Sequence, residues 1–224
     1  MRHRVTLIPG DGIGPEVSAA ARTVVDASGV EVEWDVQEAG AAAIAREGTA
    51  LPPRVLEAIR GLRVVRRYAD RPLEATHLEA ILNAGRRASS SKNRQRWDFV
   101  VITDRDGLRT LSEVGPYAGH VAQAAAAVAL VYPSPSGEAP HSTNWDLGLA
   151  SQNMILAAWS LGIGSCPITV YEPELARTFL GYPADHACEQ LLVFGYPANP
   201  DDLTRPLRRG RRRPLGEIVH REHW

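Results

Sequence analysis

The chain has 224 residues, with 25 basic and 26 acidic side chains and a formal net charge of −1. That length suffices for one sizeable core, or for one domain with an appendage, and the balanced charge argues against a dedicated nucleic-acid binder. The two cysteines, Cys166 and Cys188, are far apart and unaccompanied, so neither a disulfide framework nor a zinc pattern is visible. No apolar run approaches the roughly 20 residues that span a bilayer, and Met1–Val5 lacks the apolar core of a signal peptide. A soluble cytoplasmic protein without a metal site is expected.

In chain order, Val5–Ile8 reads as a short buried strand. A Gly-rich turn, Pro9–Gly14, then opens a helix from Pro15 to about Ala27, with Pro15 suited to the first turn. Val30–Val36 alternates as a second strand. An Ala-rich helical stretch follows over Ala39–Glu47, and another helix over Arg54–Gly61. Gly10, Gly12 and Gly14 do not form G-x-G-x-x-G, because position 15 is proline, and no Lys-Ser/Thr pair completes a P-loop.

Composition shifts at Leu62. Arg63–Leu73 is basic and extended, and helical spacing returns at Leu78, Ile81 and Leu82. Ala88–Gln95 is a loop of small hydroxyl side chains and two amides, Asn93 and Gln95, before a strand that Trp97 opens. Such a loop can offer N–H groups, hydroxyls and amides to a flat heterocycle, although on its own it is also an ordinary surface turn. Ala127–Tyr132 reads as a buried strand, and Pro133–Pro140 as a loop over a pocket. The helix from Asp146 to Gly162 is apolar round most of its circumference, which predicts a central core helix capped by Asp146. A stretch Ser165–Val170, a helix Pro173–Leu180 and a last strand Gln190–Gly195 follow. The tail carries Arg208, Arg209 and Arg211–Arg213 ahead of Pro214. By residue type alone these arginines are a solvated tail, Cys166 is a packing residue, and His220 and His223 are too near the terminus to suggest a metal. Strands alternating with helices after Leu62 indicate an α/β or α+β layer.

Two resemblances follow from these motifs. Leu7–Val17, with its GDGIGPE turn, and Leu51–Gly61 resemble the start of the isocitrate and isopropylmalate dehydrogenases. The substrate-binding arginines, the Tyr/Lys pair and the metal-binding aspartates of that family have no counterpart here. Residues 1–61 are therefore expected to be a β-α-β appendage. Residues 62–224 resemble the FMN-dependent nitroreductase family through the Arg63–Arg67 stretch, the Ser-Ser-Ser-x-Asn-x-Gln loop, Asp146-x-Gly148-x-Ala150-x-Gln152-Asn153, and the basic segment ahead of Pro214-Leu215.

The resemblance implies an α+β fold, a three-layer sandwich with a central, mainly antiparallel sheet flanked by helices. It implies FMN at a homodimer interface. Arg63, Arg66 and Arg212 would contact the phosphate or ribityl chain, and forked guanidinium groups suit a phosphate. Ser90, Ser91, Asn93 and Gln95 would meet the ribityl chain and the pyrimidine edge. Cys166, Pro167 and Ile168 would lie against the ring, with Thr169 near N5. Departures are Leu62 and Val64, where the family has Arg and Ser, and Ser89 and Arg96, where it has Pro. Arg66, Arg67, Arg211 or Arg213 could compensate for the first pair. The implied activity is a ping-pong hydride transfer from NAD(P)H, as co-substrate, to nitroaromatic, quinone or related acceptors, with the flavin rather than a side chain carrying the chemistry. The alternatives are an FMN oxidase or dehydrogenase of a small metabolite, and a non-catalytic binding protein that has lost its flavin.

Overall fold

A computed structural model describes residues 3–9, 13–36, 53–134, 142–206 and 212–224. The expected helix Ala39–Glu47, most of the loop Pro133–Pro140 and Arg208–Arg211 lie outside the described residues. The chain divides into two compact units, Met1–Arg60 and Gly61–Trp224.

In the first unit, strands β1 (His3–Leu7) and β2 (Val32–Val36) pair in parallel, His3 opposite Val32 and Leu7 opposite Val36. Parallel strands need a crossover, which α1 (Gly14–Ala27) provides, with a proline in its first turn as the sequence predicts. A Cβ on Gly14 would stand 2.1 Å from the Pro9 carbonyl oxygen, so the turn closes only with glycine there. The Trp34 indole N–H donates to Asp26 at 2.8 Å and ties β2 to α1. Helix α2 (Pro53–Gly61) leads out of this unit.

The second unit is built on a four-stranded sheet in the order β3-β4-β6-β5, antiparallel throughout. Its strands are β3 (Asp98–Ile102), β4 (Ala126–Pro133), β5 (Gly164–Thr169) and β6 (His186–Gly195). Among the described residues, helices α3 (Ala75–Arg86), α4 (Arg105–Leu111), α5 (Ser142–Ser160) and α6 (Pro173–Leu180) cover it. Side-chain alternation along β4 sorts the two cores. Ala127, Ala129 and Val131 pack with Leu108 and Leu111 of α4 and Ala176 of α6. Val128, Leu130 and Tyr132 pack with Ile81 of α3 and Met154 and Ala158 of α5. The result is a helix–sheet–helix sandwich of the α+β class.

Three details depart from the sequence reading. Strand β6 begins at His186 rather than Gln190, because a bulge interrupts its alternation: Leu130 opposes Gln190 and Val131 opposes Cys188, leaving Glu189 as the extra residue. Helix α5 begins at Ser142, so Asp146 lies inside the helix and is not its cap. Only one stripe of α5 is buried, Thr143, Asp146, Leu147, Ala150, Met154 and Ala158, while Trp145 is 73% exposed. The helix therefore fills one side of the sandwich rather than a core on all sides.

Candidate functional site

An arginine-lined cleft forms where the strap after α2 meets the segment after β6. Val65 anchors the strap: it is 1% exposed, and its N–H donates to the Ser165 carbonyl at 2.9 Å, alongside the first residues of β5. Gly164 permits this approach, since a Cβ there would stand 2.6 Å from that of Val65. Tyr68 pins the next turn, its hydroxyl donating to the Val65 carbonyl at 2.7 Å. From the other direction, the Ala198 N–H donates to the Arg67 carbonyl at 3.0 Å, and the buried Asp202 pairs with Arg67 and Arg205. The Arg63 guanidinium closes the gap by donating to the Arg205 carbonyl at 2.8 Å.

The cleft so formed, of about 420 Å3, is lined by Leu62, Arg63, Val64, Arg66, Arg205 and Arg212, with Pro206 at its edge. It gathers the three arginines singled out by sequence and adds Arg205. Sequence reasoning missed Arg205, which lies before the terminal run; its spacing of three from Asp202 was the available signal. Four guanidiniums around one cleft make a strong anion site. Leu62 and Val64 take part as apolar wall. Arg66 also reaches toward Cys166 and His120. Burial raises the Cys166 thiol pKa, with Arg66 opposing it in part, so Cys166 rests as a thiol and not as a nucleophilic thiolate. Burial first and the Arg66 charge second depress His120, whose Nε2 has no hydrogen-bond partner among the described residues.

The serine–amide loop is built separately, at the start of α5. Asp146 accepts the Ser91 N–H at 3.0 Å, and the Ser90 hydroxyl accepts the Gln95 N–H at 3.0 Å. The Gln95 side-chain amide donates to Asn93 Oδ1 at 3.1 Å, so the two predicted amides form one unit. Lys92, Asn93 and Gln95 have φ of 53°, 52° and 48°. Left-handed backbone at three non-glycine residues is costly, and such conformations cluster at functional sites. Ser90, Ser91, Asn93 and Gln95 thus share one loop, but none of them lines the arginine cleft.

On β5 the alternation divides the predicted residues. Cys166 and Ile168 send their side chains into the core that holds α4 and α6, and leave only backbone to offer a ligand. Pro167 and Thr169 are exposed. The strap places Arg63 and Arg66 beside the first half of this strand, so the arginine cleft and β5 adjoin. His220 stacks on Trp224 in the exposed tail, and no group of three potential metal ligands occurs among the described residues.

An α+β sandwich with a basic cleft beside its edge strand defines a class of small-ligand folds, and comparison narrows the class. The nitroreductase family model matches residues 59–115 and 115–196. A relative from Archaeoglobus fulgidus, provisionally named an NADH dehydrogenase/NAD(P)H nitroreductase, is 32% identical over 168 residues, 72% of this chain and 94% of its own. A provisionally named nitroreductase from Desulfovibrio desulfuricans, solved in complex with FMN, superposes with a TM-score of 0.64 at 29% identity, over 76% of this chain and 97% of its own. The chain belongs to the nitroreductase family. Residues 4–66 match a different model, that of isocitrate/isopropylmalate dehydrogenase. The isocitrate/homoisocitrate dehydrogenase of Thermus thermophilus is 46% identical over 59 residues, 26% of this chain but only 18% of that enzyme.

Proposed function

We propose that the second unit is an FMN-dependent oxidoreductase that takes hydride from NAD(P)H and passes it to nitroaromatic, quinone or related conjugated acceptors. The observation that carries this reading is the convergence of Arg63, Arg66, Arg205 and Arg212 on one cleft beside β5, in a chain of this family. A doubly charged phosphate suits a cleft walled by four guanidiniums, although Arg205 also pairs with Asp202 and Arg63 also donates to the Arg205 carbonyl. FMN, when bound, supplies the two-electron hydride chemistry that no side chain here can perform. The arginines hold its phosphate end. Pro167, Thr169 and the backbone of Cys166 and Ile168 hold its ring.

The Ser90–Gln95 loop would serve the FMN of a second copy, in a homodimer. What supports this is that no residue of the loop lines the arginine cleft, together with the exposure of Trp145 on α5. Residues 1–61 act as an appendage, since they contain none of the residues assigned to the site. Among the described residues no helix is long and apolar enough to cross a membrane, and the reading places the enzyme in the cytoplasm.

In this reading NAD(P)H and acceptor occupy the site over the flavin in turn, a ping-pong order. Steady-state rates at varied NADH and quinone test this. Parallel double-reciprocal lines are expected; intersecting lines would contradict the order, and absence of turnover with every acceptor would contradict the reading. One observation favours a second reading. Leu62 and Val64 stand in the cleft wall where the family carries a charge and a hydroxyl. If they have cost the chain its cofactor, it is a binding protein, and the protein stays colourless when FMN is added.

A further inference from the structure

A second basic region lies over the end of α3 and the serine–amide loop. Residues 86–96 carry five cations, Arg86, Arg87, Lys92, Arg94 and Arg96, and no aspartate or glutamate, in a chain whose formal net charge is −1. None of the five lines the arginine cleft. Arg86 donates to Asn83 Oδ1 at 3.2 Å. Arg87, Lys92, Arg94 and Arg96 make no ion pair and no side-chain hydrogen bond among the described residues. In the arginine cleft, by contrast, Arg205 is paired with Asp202 at 2.7 Å.

Two further observations set this region apart from an ordinary solvated face. The backbone beneath the cations is held: Asp146 accepts the Ser91 N–H, the Ser90 hydroxyl accepts the Gln95 N–H, and Lys92, Asn93 and Gln95 are kept at positive φ. Such conformations persist only where the surroundings over-determine them, so the loop presents its charges from a fixed frame. A groove of about 460 Å3 also adjoins the region, and Arg86 and Gln95 belong to both. That volume lies in the range of roughly 300–1,000 Å3 typical of small-molecule sites. Trp97 and Phe99 line the groove with near-parallel rings, 9° apart in plane and 6.4 Å between centroids. A flat heterocycle stacks on such rings. Glu79 and Asp98 share the lining and can accept from a ring amino group or a ribose hydroxyl. Five cations against three carboxylates, Glu79, Asp98 and Asp146, leave the surroundings positive.

We propose that this region binds the adenosine 2′-phosphate end of NADPH and so selects NADPH over NADH as hydride donor: Lys92, Arg94 and Arg87 hold the 2′-phosphate, and Trp97 and Phe99 take the purine. The two donors differ only in that phosphate, which carries nearly two negative charges at neutral pH. Guanidinium and ammonium groups without a protein partner are the donors such a group requires. The inference deepens the FMN reading and rests on it for the use of a nicotinamide donor. None of the loop cations is among the groups assigned to FMN.

The test has two arms, both on the purified full chain. The first is calorimetric titration with adenosine 2′,5′-bisphosphate and with 5′-AMP, which carry the NADPH and NADH ends and need no flavin. The bisphosphate should bind at least about tenfold more tightly, the scale of one hydrogen bond to a charged group. Lys92→Gln combined with Arg94→Gln should bring the two affinities to within about twofold. Should that pair fail to fold, Arg87→Gln, just past the end of α3, should lower the same ratio at least about threefold. Equal affinities in the native chain, or a preference that these variants leave untouched, would overturn the inference and mark the cations as a solvated face only. The second arm is anaerobic bleaching of bound flavin at varied NADPH and NADH, where NADPH should half-saturate at a concentration at least about tenfold lower. Flavin that binds and bleaches with the same half-saturation for both donors sinks the NADPH assignment alone. A bisphosphate preference that depends on Lys92 and Arg94, in a chain that takes up no flavin, supports the nucleotide site and sinks the FMN reading alone.

Discussion

Asp146 is buried to 7% exposure and accepts the Ser91 N–H across 55 residues of sequence. Asp146→Ala should therefore lower stability by about 1.5–3 kcal/mol, the worth of a hydrogen bond to a charged group, and loosen the serine loop; thermal unfolding and FMN titration together read both effects. Sequence alone placed this residue at a helix end, because an Asp before an apolar run is the usual sign of a cap; the real start lies four residues earlier and shows no such pattern. Arg66 faces the cleft, Cys166 and His120. Arg66→Gln should weaken FMN binding roughly ten- to hundredfold for the same class of lost bond. It should also lift the His120 pKa part of the way back, since one of the two causes of its depression is removed, which proton NMR of the imidazole would follow. Cys188 gives a stability effect at alkaline pH. Burial pushes its thiol from an ordinary 9.0 up to about 11. The folded state then holds the proton that the unfolded state releases between these values. The contribution is complete below pH 9.0 and lost as pH rises through about 11, a loss of about 2–3 kcal/mol at about 1.4 kcal/mol per unit. Urea unfolding at both ends of that window should show a steeper decline for the native chain than for Cys188→Ala.

At the scale of elements, the site depends on how the Leu62–Tyr68 strap lies along β5. Gly164 sets that contact, and Gly164→Ala would drive its Cβ into Val65. Val65 is β-branched and buried, so it cannot turn aside. The expected cost is about 1–3 kcal/mol of overpacking, accompanied by weaker FMN binding as Arg63 and Arg66 shift. Denaturant unfolding and FMN titration on one preparation would check both; loss of stability with unchanged FMN affinity would detach the strap from the site. The strands and helices were largely legible in the sequence, because β4 is an unbroken apolar run, α3 carries helical spacing at Leu78, Ile81 and Leu82, and α6 starts at a proline and ends before a glycine. The bulge at Glu189 was not. It depends on which partner residue faces which, a property of pairing and not of local composition. The strap was read as merely extended for a similar reason: its bridges, Val64 with Ser165 and Tyr68 with Pro197, join segments far apart in sequence.

For the whole molecule, the arginine cleft was legible as residue types and illegible as a place. Arg63 and Arg66 meet Arg205 and Arg212 only after the whole sandwich has formed between them. The composition changes at Leu62, and the two compact units are Met1–Arg60 and Gly61–Trp224. The exposed tail, with Leu215 and Trp224 uncovered, and Trp145 on α5 leave apolar side chains of the kind that a second copy covers in the proposed homodimer. What the function rests on is the cofactor. The purified full chain, dialysed and titrated with FMN, should turn yellow and retain one flavin per chain through gel filtration, with the bound absorption bleached by NADH or NADPH under anaerobic conditions. A chain that remains colourless at saturating FMN, with its fold intact by circular dichroism, would contradict the assignment of the arginine cleft and the function drawn from it.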